Sequence, residues 1–232
     1  MDTADRTMDS RPSTPTTLTS AVYERLRRDV LVGRLRPGEK LRIEALRATY
    51  EVGASPLREA LNRLSAEGLV VQEDQRGFRV SPVSLDDLKE LTRTRCWLNE
   101  IALRESIARG DTAWEERVVL THHRLARTPV YSDASSKLDS EWERRHREFH
   151  AALISACGSR WLTAFCESLF DQADRYRYLS VYAHEHRDFV GEHRAIMEAT
   201  LARNAESAVR LLIDHISKTA ELVSSLEAGT KR

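Results

Sequence analysis

Between positions 18 and 32 the apolar residues Leu18, Val22, Leu26 and Val30 recur every fourth place, with charged residues between them. Four residues is close to one helical turn, so these positions share a stripe and predict an amphipathic helix, stopped by Gly33. Pro37 and Gly38 mark a turn. A second short helix is predicted over 43–50, and beyond Gly53 a third over about 56–67, ended by Gly68. Pro56 suits the first turn of that helix, where a missing N–H is harmless, and Ser55 is read as its N-cap. The period then changes. Positions 69–71 and 78–80 are short β-prone runs around the polar stretch 72–77, which predicts a hairpin.

After the hairpin the helical period returns and stays. Ser84 is read as a cap, and Asp86 and Asp87 place negative charge at a helix N-terminus, where the backbone dipole favours it. Helices are expected at about 85–108, 112–126, 137–157, 160–183, 187–203 and 205–227, with no further strand and no internal repeat. Residues 1–17 are rich in Ser, Thr, Pro and Asp with almost no large apolar side chain, and are expected to form a disordered arm. The fold class is therefore mainly α. A small unit at 18–82 is expected as a winged helix-turn-helix with a β-hairpin wing, followed at 83–228 by an all-α antiparallel helical bundle. In a winged helix-turn-helix the last helix enters the major groove of double-stranded DNA.

Composition narrows the class. The chain has 232 residues, 41% of them hydrophobic, enough for a buried core, and no run approaches the length of a membrane span or a secretory signal. A soluble cytoplasmic protein that does not enter membranes is expected. Cys96, Cys157 and Cys166 are far apart, without a C-x-x-C pair, and read as reduced, mostly buried thiols. A formal net charge of zero by itself argues against a polyanionic partner, but the charge is unevenly spread. Residues 18–84 carry 12 Lys/Arg against 9 Asp/Glu, a net +3, whereas 85–232 carry 22 against 24, a net −2. So small an excess supports DNA binding only weakly.

The run Ser55-Pro56-Leu57-Arg58-Glu59-Ala60-Leu61-Asn62-Arg63-Leu64-Ser65-Ala66-Glu67-Gly68-Leu69-Val70 resembles the recognition-helix signature of the GntR family of transcriptional regulators, FadR subfamily. The resemblance implies that Arg58 contacts the operator, and a guanidinium can fork onto guanine O6/N7 or grip phosphate. The alternative is an ion pair with Glu59 or Glu67. Ser55 could donate to phosphate or serve only as a cap, and Arg63 could meet phosphate or form a solvated flank. Arg76-Gly77 resembles the family's wing pair, in which the glycine permits close approach and Arg76 reaches the minor groove; a plain turn is the other reading. Ala54 stands where many members carry arginine, Gly53 where many carry Ser or Thr, and Glu44 where some carry arginine.

From Leu85 to about Leu226 the chain resembles the FCD type of effector domain. That resemblance implies a metal held by Phe149-His150, His193 and His215, with His146 at the position usually taken by aspartate. His146 and His150, four apart on one helix, point to one side. Imidazole-rich sites suit zinc or nickel better than manganese. The alternatives are hydrogen-bonded core histidines, direct binding of an acid, or His146 acting through a neighbouring ligand. His122, His123, His184 and His186 show no shared face and read as solvated. Such domains sense small organic acids, and Arg95, Arg175 and Arg177 are the candidate carboxylate clamps. Only one of Arg175 and Arg177 can face inward, and pairing with Asp171 or Asp174 is the alternative for either. The run 141–150 together with Ala156-Cys157-Gly158-Ser159 is similar to CsiR-type regulators, which sense glutarate. The reading is thus a homodimeric repressor released by a small acid such as glutarate. A metal-dependent enzyme is the alternative class, but no H-E-x-x-H, nucleophile elbow or phosphate loop is present.

Overall fold

A computed structural model describes residues 17–73, 76–131, 139–179 and 187–230. The expected arm, apart from Thr17, lies outside the described residues, as do His184 and His186. Helix α1 (Leu18–Leu31) opens on Thr17, whose side chain accepts from the Ser20 N–H. Strand β1 (Lys40–Leu41), α2 (Ile43–Tyr50) and α3 (Ala54–Ala66) follow, then β2 (Val70–Glu73) and β3 (Gly77–Val80). The three antiparallel strands lie in the order β1-β3-β2, with Leu41 opposite Phe78 and Val70 opposite Val80. Val22, Leu26, Leu57, Leu61, Leu64, Leu69 and Val80 fill one core, joining the stripes of α1 and α3 to the inner face of the wing.

Ser55 is not the cap of α3. Gly53 holds that position without a side-chain hydrogen bond, and Ser55 falls inside the first turn. Pro56 remains among the residues whose N–H would have no helical partner. At the other end Gly68 takes φ +73°, a left-handed turn that redirects the chain from α3 into β2.

The second unit is a bundle of α4 (Leu85–Arg109), α5 (Thr112–Ala126), α6 (Ser140–Ile154), α7 (Arg160–Leu179), α8 (Phe189–Leu201) and α9 (Ala205–Thr230). Local side chains fix its helix starts: Ser84, Asp111, Asp139 and Asp188 each accept backbone N–H groups of the following turn. Its core joins Leu103, Val118, Trp142, Phe149, Leu153, Ile196 and Leu212, all nearly inaccessible. His122 belongs to this interior too. It is buried edge-on against Phe149 and not solvated as its sequence position suggested, because α5 turns the face carrying Val118, Thr121 and Leu125 inward. His123 next to it is exposed. Among the described residues no helix is long and apolar enough to cross a membrane.

The two units are joined through α7. Arg27 of α1 pairs with Asp171, Gln172 donates to the Glu67 carbonyl at 2.6 Å, and Arg175 donates to the Ser81 and Pro82 carbonyls of the connecting segment.

Candidate functional site

The outward end of the first unit is built from α3 and the wing. Arg58, one turn into α3, is exposed, and among the described residues no ion pair with Glu59 or Glu67 engages it. Glu67 is instead occupied by Tyr23 and Arg27, and Glu59 lies near Thr19. Arg63 is exposed, and its guanidinium carbon sits over the Tyr23 ring, 3.8 Å from the centroid. Ser55 is exposed in the first turn of α3. On the wing, Arg76 is exposed beside Gly77, whose φ of +88° permits the tight reversal into β3. Arg79 pairs with Glu73 at 2.9 Å and donates to the Gly38 carbonyl, so it braces the wing. Glu44, at one of the departures from the family pattern, is paired with Arg47.

Inside the bundle the four expected histidines meet. His146 and His150 of α6, His193 of α8 and His215 of α9 are all buried, and one ring nitrogen from each lies within 4.8 Å of those of the others. The two α6 histidines adjoin because positions four apart share a helix face, with Nε2 atoms 3.0 Å apart. Trp142, one turn earlier, stacks on His146 at 4.7 Å and 12°, and Phe149 packs edge-on against His193. Burial, reinforced by the neighbouring histidines and arginines, pushes His146, His150 and His193 well below the usual imidazole range and brings His215 down to about 4. All four are therefore neutral at pH 7, the form that offers a lone pair to a metal.

Sequence reasoning named Arg177 and its pairing with Asp174 but missed Glu143, Glu192 and Arg187, which help to hold these rings. His215 Nδ1 lies 2.7 Å from the Glu192 carboxylate, which also takes Arg187 at 2.7 Å. Burial pushes Glu192 upward, but bonds from His215 and Arg187 outweigh it and hold the carboxyl well below its usual range. Arg177 touches His146 Nδ1 at 2.8 Å and pairs with Glu143 and with Asp174, the latter at 2.9 Å. Burial raises Glu143 to about 7 against the pull of Arg177. Arg147 joins Asp174 to Asp171. The spacing of Glu143 and Glu192 to nearby histidines was visible, but each lies on a different turn from its partner and nothing local marks it.

The three candidate clamps separate. Arg177 faces the cluster. Arg175, two positions on, points nearly the opposite way to the Ser81 and Pro82 carbonyls, so the structure does not bring it to the cluster. Arg95 lies over Phe170 at 5.4 Å, and its guanidinium makes no ion pair among the described residues; its Nε is buried without a partner. Burial lowers Arg95 to about 10, with Asp174 opposing and Arg177 reinforcing the fall. Between Arg95, His146, His150, Arg177 and His215 remains a cavity of about 20 Å³, enough for a water or an ion but not for an organic acid.

Residues 18–80 match the family described as bacterial regulatory proteins, gntR family, and residues 90–218 match the FCD domain. HTH-type transcriptional regulator BphR of Paraburkholderia xenovorans is 42% identical over 214 residues, 89% of this chain and 85% of that protein. HTH-type transcriptional repressor GlaR of Escherichia coli is 36% identical, spanning 89% of this chain and 96% of that protein. Escherichia coli McbR/YncC shares the fold at a TM-score of 0.74 and 20% identity, covering 91% of this chain and 99% of that one. These are regulators and not enzymes, and the metal-dependent enzyme reading falls away. With both segments matched in order and relatives similar over most of their length, the chain belongs to the GntR family of bacterial transcriptional regulators, with a C-terminal FCD domain.

Proposed function

We propose that this regulator is an operator-binding repressor whose grip on DNA is set by a small organic acid, a dicarboxylate such as glutarate, received beside a divalent ion in the histidine cluster. One observation carries the reading: Arg95, a cation without a carboxylate partner among the described residues, adjoins a buried set of four neutral imidazoles. The residues fit a metal. His193 Nε2 is buried without a hydrogen-bond partner, a cost of about 1–3 kcal/mol that an ion would remove. An all-nitrogen donor set suits zinc or nickel. When bound, the ion would supply positive charge for a carboxylate, and Arg95 would supply a second grip on the same acid.

The cavity is too small for such an acid, so binding has to widen it, and α7 is the wall with most to transmit. Phe170, Asp174 and Arg177 recur at helical spacing on its cluster side, whereas Asp171, Gln172 and Arg175 on adjoining faces hold the DNA-reading unit. An outward shift of α7 repositions α3. On the DNA side Arg58 reads a base edge, Ser55 and Arg63 reach phosphates, and Arg76 with Gly77 enters the minor groove.

Half-sites on a palindrome call for two copies. Trp97 and Ile101 of α4 and Trp161 and Phe165 of α7 are more than half exposed. Exposed apolar side chains of this size on α4 and α7 are surface that a second copy would cover. The test is a gel shift on the chain's own upstream DNA titrated with glutarate and shorter and longer diacids, with metal content measured on protein purified without chelator. Release by one diacid is the expected result. Retardation indifferent to every acid, or folded protein that cannot be loaded with metal, overturns the reading.

A further inference from the structure

Which histidines can ligate is decided by what touches the other nitrogen of each ring. A neutral imidazole has one N–H and one lone pair, and the partner of one nitrogen fixes the role of the other. At His215, Nδ1 lies 2.7 Å from the Glu192 carboxylate, which only accepts, and 3.1 Å from an Arg187 nitrogen whose two hydrogens go to Glu192 and to the His215 carbonyl, so Nδ1 carries the hydrogen and Nε2 keeps its lone pair for the cluster. At His193 it is Nε2 that lies buried without any partner.

His146 is the reverse. Its Nδ1 faces the Arg177 guanidinium at 2.8 Å, and a guanidinium offers donors only, so Nδ1 must supply the lone pair and the hydrogen sits on Nε2. Arg177 is not free to turn away, because its NH2 is held by Glu143 and by Asp174 at 2.9 Å. Nor is the ring, stacked against Trp142 at 12°. Before loading, the 3.0 Å separation between His146 Nε2 and His150 Nε2 is then an N–H donated to a lone pair; a metal would claim that lone pair and free the His146 N–H for the group beside it.

We infer that His146 is not the fourth ligand of the cluster but a hydrogen-bond donor facing it, with His150, His193 and His215 ligating. The inference rests on the metal reading above and assigns the roles within it. Three neutral ligands leave the ion's double charge undiminished and one position open. The His146 N–H and Arg95 both point donors toward that region, so the group accepted there is an anionic oxygen, a carboxylate in preference to an amine or an imidazole. Arg177 is the positioning residue that fixes the His146 tautomer.

The test uses the full chain labelled with 15N-histidine and titrated with zinc, followed by NMR of the ring nitrogens and by metal analysis. On the zinc-loaded protein His146 should show its hydrogen on Nε2 and no metal-induced shift, whereas His215 should show its hydrogen on Nδ1. His146→Gln should still take up one zinc per chain with affinity within about ten-fold of the parent, whereas His193→Ala should lose more than about 100-fold. A His146 hydrogen on Nδ1, or zinc lost from His146→Gln as severely as from His193→Ala, overturns the assignment while leaving the metal reading intact. Parent protein that stays folded but takes up no zinc overturns the metal reading itself. Should His146→Gln not fold, the ring-nitrogen spectrum of the parent decides alone.

Discussion

The arginines of the two units are used in opposite ways. On α3 and the wing, Arg58, Arg63 and Arg76 are exposed and make no ion pair among the described residues. In the bundle Arg147, Arg177 and Arg187 are each held by carboxylates against or within the core. An exposed charge is available to a phosphate, whose counterions are released when it is neutralised, yet contributes little to folding. A buried pair offers nothing to solvent, and its worth is in fixing neighbouring rings in one orientation. A formal net charge of zero therefore conceals an exposed cationic face, the one proposed to read DNA, because the cations that cancel in the sum are not the ones at that surface. Arg95 is the exception inside, its Nε buried and its guanidinium without an ion pair among the described residues, which is what singles it out as the proposed grip on an acid.

If the interior is specified by buried neutral rings, acid should break it before it touches the surface. His215 is near 4 in the folded protein against 6.5 when unfolded, and the other three cluster histidines shift the same way. A depressed folded value means that the unfolded chain takes up the proton first, so stability is complete above pH 6.5 and is lost as pH falls toward 4. His215 alone accounts for on the order of 3 kcal/mol, and the cluster together should exceed that. Urea unfolding of chelator-treated protein at pH 7.5 and pH 5 measures it; equal midpoints would show that the rings are not held neutral.

Next in size is Arg177→Met, which strips the cation from between Glu143 and Asp174. Two buried carboxylates then lack their main partner, and the loss should be about 3–5 kcal/mol in denaturant melts at pH 7.5. The same change at the surface sharpens the contrast. Arg58→Ala should leave stability within about 0.5 kcal/mol but weaken operator binding by about 1–3 kcal/mol in a fluorescence-anisotropy titration. An unchanged footprint would remove Arg58 from the DNA-reading surface.

The outer features were far more legible in the sequence than the inner ones. Helices α2 and α5 fall at the expected residues, because period and punctuation agree there. β1 escaped notice since Lys40 and Leu41 make a single alternation, too short for a pattern, and exist as a strand only through pairing with Arg79 and Phe78. The gathering of His146, His150, His193 and His215 was expected from family spacing. Their tautomers were not, because Arg177 reaches back 31 residues and Glu192 forward 23 to set them. Burial of His122 was missed for a related reason: a polar ring on a mixed face is turned inward by the partners α6 and α8 supply, which no local window contains.

The smallest effect is the one that would join the two regions. Arg27 of α1 reaches Asp171 and Glu67, Asp171 also takes Arg147, and Arg147 continues through Asp174 to Arg177 beside the cluster. This chain of ion pairs crosses from the cavity wall, which Asp174 and Arg177 line, to the end of α3, and Asp171 at its centre lines neither the cavity nor the exposed face of α3. Asp171→Asn keeps the side-chain shape but removes the charge shared by both arginines. Operator affinity without effector should change little, since α3 is still packed on α1 through Leu26, Leu57 and Leu61. The effector's influence on that affinity, about 1–3 kcal/mol in the parent, should fall to roughly half. Binding isotherms for the same duplex with and without the releasing acid, on parent and variant, give the coupling directly. A variant that releases DNA as readily as its parent would show that α7 transmits by packing alone, through Gln172 on the Glu67 carbonyl and Arg175 on the segment at Ser81, and that the charges are only its fastening.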